Sequence, residues 1–403
     1  NYPDWDSNGD GILDNYSDFE NNGSITSLVL LDEINVGSEN DLMGAFVDDE
    51  LRGVAVATEI VFGPYEGTYQ FLLLIYGNEA SEMVTFKYYD HETDMVYDIA
   101  EEISFEPDLT LGDVIDPFIF NIDLKVDVSA TMFEGWNWMS FNVYLDDMSL
   151  DSMLSSISGS GDFIKNQAGY ADYYPGEGWF GTLASINNVS MYKLRMNEQD
   201  DINLWAYPVD VDEMVFSLYE GYNWMGYSPQ VPLDLNIALA NVEEGSLEYI
   251  KNQAGYSDYY PGNGWFGTLN ELAPFGGYIA RATADTDFTY NEGDGLARIA
   301  PSFTNTSYDQ FDLNIHDYEY NATMTTALYI DDSRVDSYDY ILAAYDGLTC
   351  VGYTEGLYFP LDGNIIFPLM IYGNDDDQGN TLTFKVYDKS SHAYLDIDKE
   401  FVF

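Results

Sequence analysis

Internal repetition constrains this chain more than any other feature of its sequence. An outer pair of segments, 17–106 and 316–403, aligns at a constant offset of 299 residues through its first part. An inner pair aligns at an offset of 86, and its segments 163–183 and 249–269 share 18 of 21 residues. Repeats of this length indicate that each copy is a separate structural unit. The order of the units is A–B1–B2–A′.

The repeats divide the chain of 403 residues into four modules behind a short leader. The expected boundaries are 1–16 for the leader, 17–123 for module A, 124–211 for module B1, 212–300 for module B2 and 301–403 for module A′. Acidic stretches near 107–125 and 291–302 are the expected linkers.

The A modules have the pattern of an all-β fold. Short apolar or alternating runs, such as ITSLVLL (25–31) and YQFLLLIY (69–76), are separated by Gly, Asn and Asp clusters, which is typical of a β-sandwich. Each B module adds one short helix, at 148–157 and at 233–242, where apolar residues recur at helical spacing. The predicted fold class is therefore mainly β, with an outer β-sandwich-like pair and an inner β-rich pair that has one short helix in each module.

The charge of the chain excludes several classes of function. With 71 acidic and 13 basic residues, the formal net charge is −58. Such a surface repels phosphate backbones and anionic headgroups, so we expect no nucleic-acid partner. The sequence has no run of about 18 apolar residues, so we expect no membrane insertion. A hydrophobic fraction of 46% nevertheless indicates a folded chain. The single cysteine, Cys350, excludes an internal disulfide framework.

The N-terminal segment DWDSNGDGILD (4–14) is the sharpest local motif. Calcium needs about six to eight oxygen ligands, and alternating acidic side chains on a tight glycine-containing loop supply them. The segment resembles the calcium loops of thrombospondin type-3 repeats and dockerins, D-x-[DN]-x-D-G-x-x-D, although Ser17 stands where a final acidic ligand is usual. The alternative is a solvated acidic leader. The predicted calcium ligands are Asp4, Asp6, Asn8, Asp10, Ile12 through its carbonyl, Asp14 and Asp18.

An aromatic-rich segment in each B module has two interpretations. The rings pack a small aromatic core, or they form a platform that stacks on sugar faces. Near-identity between B1 and B2 shows that the module needs these rings and does not show that they bind a ligand. The candidate glycan contacts are Trp179, Trp265, Tyr174 and Tyr260.

Two further pairs of residues occupy equivalent repeat positions. Asn22 and Asn321 lie in the sequons NGS and NAT and are the predicted glycosylation sites, with a shared turn as the alternative. Lys165 and Lys251 stand out because cations are scarce in this chain. Each of these lysines is expected to pair with a local carboxylate in a structural role.

No sequence motif predicts a catalytic centre, so we expect no enzyme activity. The motifs G-x-S-x-G, P-loop and H-E-x-x-H do not occur, and acidic residues are too numerous to single out a glycosidase pair. Both module types resemble tandem repeats of large secreted and cell-surface bacterial proteins. The resemblance is carried by residues 41–55, 75–78, 84–90, 135–140 and 164–183. It implies an extracellular or cell-surface location and a role in surface structure, adhesion or assembly.

These observations favour a non-enzymatic extracellular structural protein. Such a protein would be a subunit of a surface filament, sheath or matrix, assembled from its own copies and stabilised by calcium. The final segment KEFVF (399–403) either adds a strand to a neighbouring copy or is the last strand of its own module. The alternative function is a carbohydrate-binding adhesin whose B modules contact glycans.

Overall fold

The computed structural model describes residues 3–291 apart from Asn8 and Asp32, residue 308, and residues 310–403. Strands dominate the described chain, which contains two α-helices of one turn each, and this confirms the predicted mainly-β class. The chain divides into two compact units, 1–125 and 126–403. None of the described helices is long and apolar enough to span a membrane.

Module A forms a ring of hydrogen-bonded strands. Its neighbours follow the order β1, β5, β4, β3, β6, β7 and β10, and β10 pairs in parallel with β1. The two faces of the predicted sandwich are therefore joined at both edges. The strands are β1 (Asn21–Leu31), β2 (Ile34–Asn35), β3 (Leu42–Val47), β4 (Glu50–Glu59), β5 (Tyr69–Gly77), β6 (Met83–Asp90), β7 (Met95–Ile99), β8 (Ile103–Ser104), β9 (Thr110–Leu111) and β10 (Phe118–Asp123).

Strand β10 closes this ring. Residues 118–121 pair with residues 27–30 on one side, and Ile122 pairs with Ile99 on the other. The Phe120 side chain is fully buried, with its ring centroid 4.5 Å from that of Phe86. The prediction of a linker near 107–125 is therefore wrong, because the alternating apolar side chains of this segment complete the core of module A.

The two B modules have the same five-stranded sheet. The order is β12-β17-β14-β15-β16 in B1. The B1 elements are β11 (Val126–Met132), β12 (Gly135–Met139), β13 (Val143–Tyr144), α1 (Leu150–Met153), β14 (Gly161–Lys165), β15 (Tyr170–Tyr174), β16 (Gly178–Gly181), β17 (Tyr192–Met196) and β18 (Asp200–Pro208).

Module B2 repeats this order as β20-β26-β22-β23-β24, with a register shift at the equivalent place in β22. One helix in each B module confirms that prediction, although each helix is shorter than its apolar pattern. The B2 elements are β19 (Phe216–Leu218), β20 (Gly221–Met225), β21 (Leu233–Asp234), α2 (Leu235–Ala238), β22 (Leu247–Lys251), β23 (Tyr256–Tyr260), β24 (Gly264–Gly267), β25 (Glu271–Leu272), β26 (Tyr278–Ala282) and β27 (Thr286–Phe288).

Strand β16 approaches strand β15 closely at a glycine, and both B modules share this close approach. A Cβ at Gly181 would lie 2.0 Å from the carbonyl oxygen of Tyr170 on β15, and one at the equivalent Gly267 would lie 2.2 Å from that of Tyr256. Because the obstacle is backbone, rotation of a side chain cannot relieve it.

We therefore expect Gly181→Ala to lower the free energy of unfolding by roughly 1–3 kcal/mol, as overpacking does. Gly159 is the control, because a Cβ there meets nothing within 4 Å. Urea unfolding measures the difference in stability between the two variants, and equal midpoints would contradict the close approach of the two strands.

Module A′ repeats the ring of module A without its closing strand. Strands β28, β34 and β33 form one sheet, and strands β32, β31, β35 and β36 form a second. Together they follow the order of their counterparts in module A, with β32 and β33 in the place of β4. In the described residues, no strand joins β36 to β28. The A′ strands are β28 (Tyr320–Thr326), β29 (Tyr329–Ile330), β30 (Ser333–Arg334), β31 (Tyr340–Asp346), β32 (Thr349–Glu355), β33 (Leu357–Phe359), β34 (Asn364–Gly373), β35 (Thr381–Asp388) and β36 (Ala393–Val402).

The final segment 399–403 belongs to its own module. Phe401 pairs with Leu382 and Val402 pairs with Thr381, both on β35. The structure thus contains the ordinary last strand, which was one of the two sequence-based alternatives.

Four hydrophobic clusters lie one in each predicted module, while the module boundaries stay predictions. The linker predicted at 291–302 lies outside the described residues after residue 291.

Candidate functional site

The N-terminal acidic loop folds around the side chain of Asp6. This carboxylate is buried and accepts backbone N–H bonds from Gly9 at 2.8 Å, Asp10 at 3.2 Å and Gly11 at 2.6 Å. Gly9 and Gly11 have φ angles of +74° and +73°, in the left-handed region that glycine enters without strain. Asp6, one of the predicted calcium ligands, and the two glycines therefore have the local geometry of a tight loop.

The other predicted calcium ligands lie around this loop. Asp4, Asp10, Ile12, Asp14 and Asp18 are exposed, and Asn8 lies outside the described residues. The Ser7 hydroxyl donates to the Asp14 carboxylate. Within the part of the chain that the structure describes, no group of three or more His, Cys, Asp or Glu side chains is arranged to hold a metal.

The candidate calcium-ligand atoms of this loop are all oxygen atoms, which fits the chemistry of calcium. Asp6, Asp10 and Asp14 are the side chains that would hold the ion, and a bound calcium would supply positive charge to a strongly anionic segment. The described carboxylates do not converge on one point, so the calcium site stays a prediction.

The structure separates the four candidate glycan contacts. Trp179 is buried in the B1 core, 5.2 Å from Tyr173, so it offers no face to a sugar. Trp265 is half-buried against the B2 core. Tyr174 is exposed, whereas Tyr260 is half-buried with its ring 5.3 Å from that of Phe359. A shared aromatic platform in the two B modules is therefore not formed by these four residues.

The two predicted glycosylation sites have different surroundings. Both asparagines lie on the first strand of their module, and neither lies in a turn. Asn22 is exposed. Asn321 is buried, and its side-chain amide donates to the carbonyl oxygens of Asn252 and Gln253, both at 3.2 Å. A glycan on Asn321 would break both bonds, so in this fold only Asn22 is available.

A buried cluster of lysines and aromatic rings joins modules B1, B2 and A′. Strand β17 places Lys193 directly beside Trp138 of β12. The Lys193 ammonium lies 4.4, 5.0 and 4.3 Å from the ring centroids of Trp138, Trp224 and Tyr320. It also donates to the carbonyl oxygen of Glu319 at 2.8 Å. Three rings around one cation favour its charged form, while burial opposes it. We call Trp138, Lys165, Lys193, Trp224, Lys251, Glu319 and Tyr320 the junction cluster.

Two more lysines extend the junction cluster. Lys165 contacts the carboxylate of Glu319, and Lys251 donates to the carbonyl oxygen of Asn321 at 2.7 Å. The expectation of a local carboxylate partner for each lysine is therefore wrong. Lys165 reaches a carboxylate 154 residues away, and Lys251 binds a backbone carbonyl. Their structural role was predicted, but their partners in module A′ were not.

A reciprocal pair of glutamines joins B1 to B2. The Gln253 side chain accepts from the backbone N–H of Trp138 at 3.1 Å and donates to the carbonyl of Trp136 at 2.8 Å. At the equivalent repeat position, Gln167 accepts from the N–H of Trp224 at 3.0 Å and donates to the carbonyl of Tyr222. Each module therefore supplies the same residue to the other. The repeated IKNQ motif carried this signal, and Lys193 had no comparable signal because its B2 counterpart is Ile279.

Burial lowers the pKa of Lys193 from 10.5 to about 7, with the Glu319 carboxylate opposing the shift. Burial also lowers the pKa of Lys251, to about 8. Between pH 7 and pH 9 these two lysines therefore bind more protons in the unfolded chain than in the folded chain, so their contribution to stability rises with pH.

We expect the free energy of unfolding to rise by on the order of 1 kcal/mol per pH unit in this range. Lys193→Met should make the rise shallower, because methionine does not titrate. Urea midpoints at pH 7 and pH 9 for both proteins measure this, and a parallel rise in the variant would contradict the assignment to Lys193.

No protein-family model matches this chain, and no curated protein sequence matches it either.

Proposed function

We propose that this chain is a non-enzymatic structural protein of the cell surface or extracellular space, a subunit of a filament, sheath or matrix stabilised by calcium. The observation that carries the proposal is the junction cluster. Its three lysines contact rings, a carboxylate and backbone carbonyls across three modules and so connect these modules. Groups placed in this way serve assembly of the modules.

The charge of the chain supports the same proposal. A net charge of −58 makes the surface strongly self-repelling at low ionic strength. Salt and divalent cations screen this repulsion, so the protein suits salty, calcium-containing water. The N-terminal loop is the proposed place where calcium binds at a defined site, in addition to this general screening.

Electron microscopy of negatively stained protein tests the proposed function. We expect ordered fibres or sheets in millimolar calcium and their loosening on addition of a chelator. Particles that stay single at high concentration, with and without calcium, would contradict the structural role.

A pair of variants distinguishes calcium binding in the N-terminal loop from general screening of charge by calcium. Asp10→Ala and Glu92→Ala each remove one exposed carboxylate from the first unit. A ligand at a hundred times its Kd stabilises a folded protein by about 2.7 kcal/mol. We expect calcium to raise the melting temperature of the Glu92→Ala protein and to have a much smaller effect on Asp10→Ala. Equal responses would argue against a site in the loop.

One observation favours the alternative function of a carbohydrate-binding adhesin. Tyr170, Tyr174 and Phe180 of B1 are each about half exposed on neighbouring strands, whereas their B2 counterparts pack on module A′. Exposed rings of this kind can stack on sugars. A glycan array with the native chain and the Tyr174→Ala variant tests this, and the absence of binding would leave the structural role.

A further inference from the structure

Module A′ has an open groove where module A has its closing strand. The groove has a volume of about 810 Å³ and lies between residues 324–329, at and after the end of β28, and residues 396–399 of β36. We call it the A′ groove. Its carboxylate rim includes Asp331, Asp332 and Asp398, with one cation, Lys399.

The residues that line the A′ groove are the repeat equivalents of those that hold β10 in module A. There, β10 pairs with residues 27–30 of β1 and with Asp98 and Ile99 of β7. The repeat offsets of 299 and 298 convert these positions to 326–329, Asp396 and Ile397. All six of these residues line the groove.

The apolar floor of the groove also matches. Phe384 is equivalent to Phe86, on which the buried ring of Phe120 packs in module A. Ile25 and Ile99 are buried in module A, where Ile99 pairs with Ile122 of β10 and Ile25 pairs with Leu111 of β9. Their A′ counterparts, Met324 and Ile397, are only half-buried. The groove thus has the shape and the side chains for a strand, and none of the strands in the described part of the chain occupies it.

The other half of the same strand edge is covered. In module A, the Asp108 N–H, just before β9, donates to the carbonyl oxygen of Asn22. In module A′, the equivalent carbonyl of Asn321 accepts from the Lys251 ammonium of B2 at 2.7 Å. Module B2 therefore replaces the β9 side of the edge, and among the described residues nothing replaces β10.

We propose that the A′ groove binds an extended segment of a partner protein, which adds a strand parallel to β28. The segment would have large apolar side chains at alternating positions, as in FIFNID of β10, and basic flanking residues that match the acidic rim. Strand addition of this kind combines main-chain hydrogen bonds with pockets for alternate side chains. This inference rests on the proposed role in a surface assembly, because it gives that assembly a specific attachment point.

Strands of a second copy are poorer occupants. Transfer of β10 from another copy would open the same groove in the donor, so nothing would be gained. The terminal residues 400–402 are already paired with β35. A partner of different sequence therefore fits the groove better than these described strands of a second copy do.

A synthetic peptide of residues 117–124 (PFIFNIDL), preceded by two lysines, is the probe. We expect fluorescence anisotropy to show saturable binding to the whole chain. The same peptide with Phe120→Asp should bind at least about tenfold more weakly, because a charge would enter the apolar floor. Hydrogen exchange with mass spectrometry should show new protection at 324–330 and 395–399 and no change at 21–31. The absence of binding, or protection at 21–31 instead, would overturn the proposal.

Two arginine variants test whether the peptide binds in the A′ groove. Ala327 and Ala393 are both exposed, and only Ala327 lines the groove. Ala327→Arg should weaken peptide binding at least about tenfold, whereas Ala393→Arg should leave it unchanged. Equal binding by the two variants would overturn the site.

The peptide experiment and the microscopy fail independently. Peptide binding without fibres would support the A′ groove as a binding site and contradict the proposed filament. Fibres without peptide binding would support the filament and contradict binding in the groove. Self-association that Ala327→Arg abolishes would identify the occupant as a second copy and would overturn the choice of a partner of different sequence.

Discussion

Replacing Phe120 with alanine should lower the free energy of unfolding of module A by about 3–5 kcal/mol, as large-to-small changes of buried phenylalanines do. Phe120 is fully buried and contacts Phe86 and Phe118, whose ring centroids lie 4.5 and 5.1 Å away. Its strand is also the one that joins β1 to β7. The change therefore leaves a cavity at the point where the ring of strands closes.

Hydrogen exchange under increasing urea measures this effect, because it reports on the two compact units separately. The amides of β1 and β7 should lose protection at lower urea in the variant. Phe62→Ala is the control, since that ring is about half exposed and surface changes usually stay within about 0.5 kcal/mol. If Phe120→Ala and Phe62→Ala behaved alike, the closing role of β10 would be wrong.

Replacing Glu319 with alanine should destabilise the second unit by about 3–5 kcal/mol, because removal of one partner of a buried ion pair leaves the other charge uncompensated. Glu319 is buried, and its carboxylate contacts Lys165. The Glu319 carboxylate also favours the charged form of Lys193, so two ammonium groups would lose its charge. We expect module A′ to become susceptible to proteolysis before B1 and B2.

The matched control is Glu248→Ala. Glu248 pairs with Arg281 at 2.7 Å, but both side chains are more than 40% exposed. Exposed pairs of this kind contribute about 0–1 kcal/mol. Glu319→Gln should fall between the two alanine variants, since the amide keeps a hydrogen bond and loses the charge. A Glu319→Ala protein as stable as Glu248→Ala would show that the junction cluster does not hold module A′.

The N-terminal loop shows how far a local motif could be predicted. The spacing of Asp6, Asp10 and Gly11 predicted a tight loop, and the hydrogen bonds to Asp6 have that form. Whether calcium binds depends on where the exposed carboxylates converge, which spacing along the chain does not fix. The lysines show the same limit, because Lys165 and Lys251 were singled out by their scarcity while their partners lie in another module.

The sequence by itself determined the repeats, the mainly-β class and the two short helices, because strand alternation and helical spacing are local properties of the chain. Only the tertiary structure decided that β10 closes module A, that Lys193 lies between rings from three modules, and that module A′ has an open groove at 326–329. These features depend on contacts between segments that lie far apart along the chain. Modules A and A′ look alike in sequence, but among the described residues only module A has a strand that closes the ring.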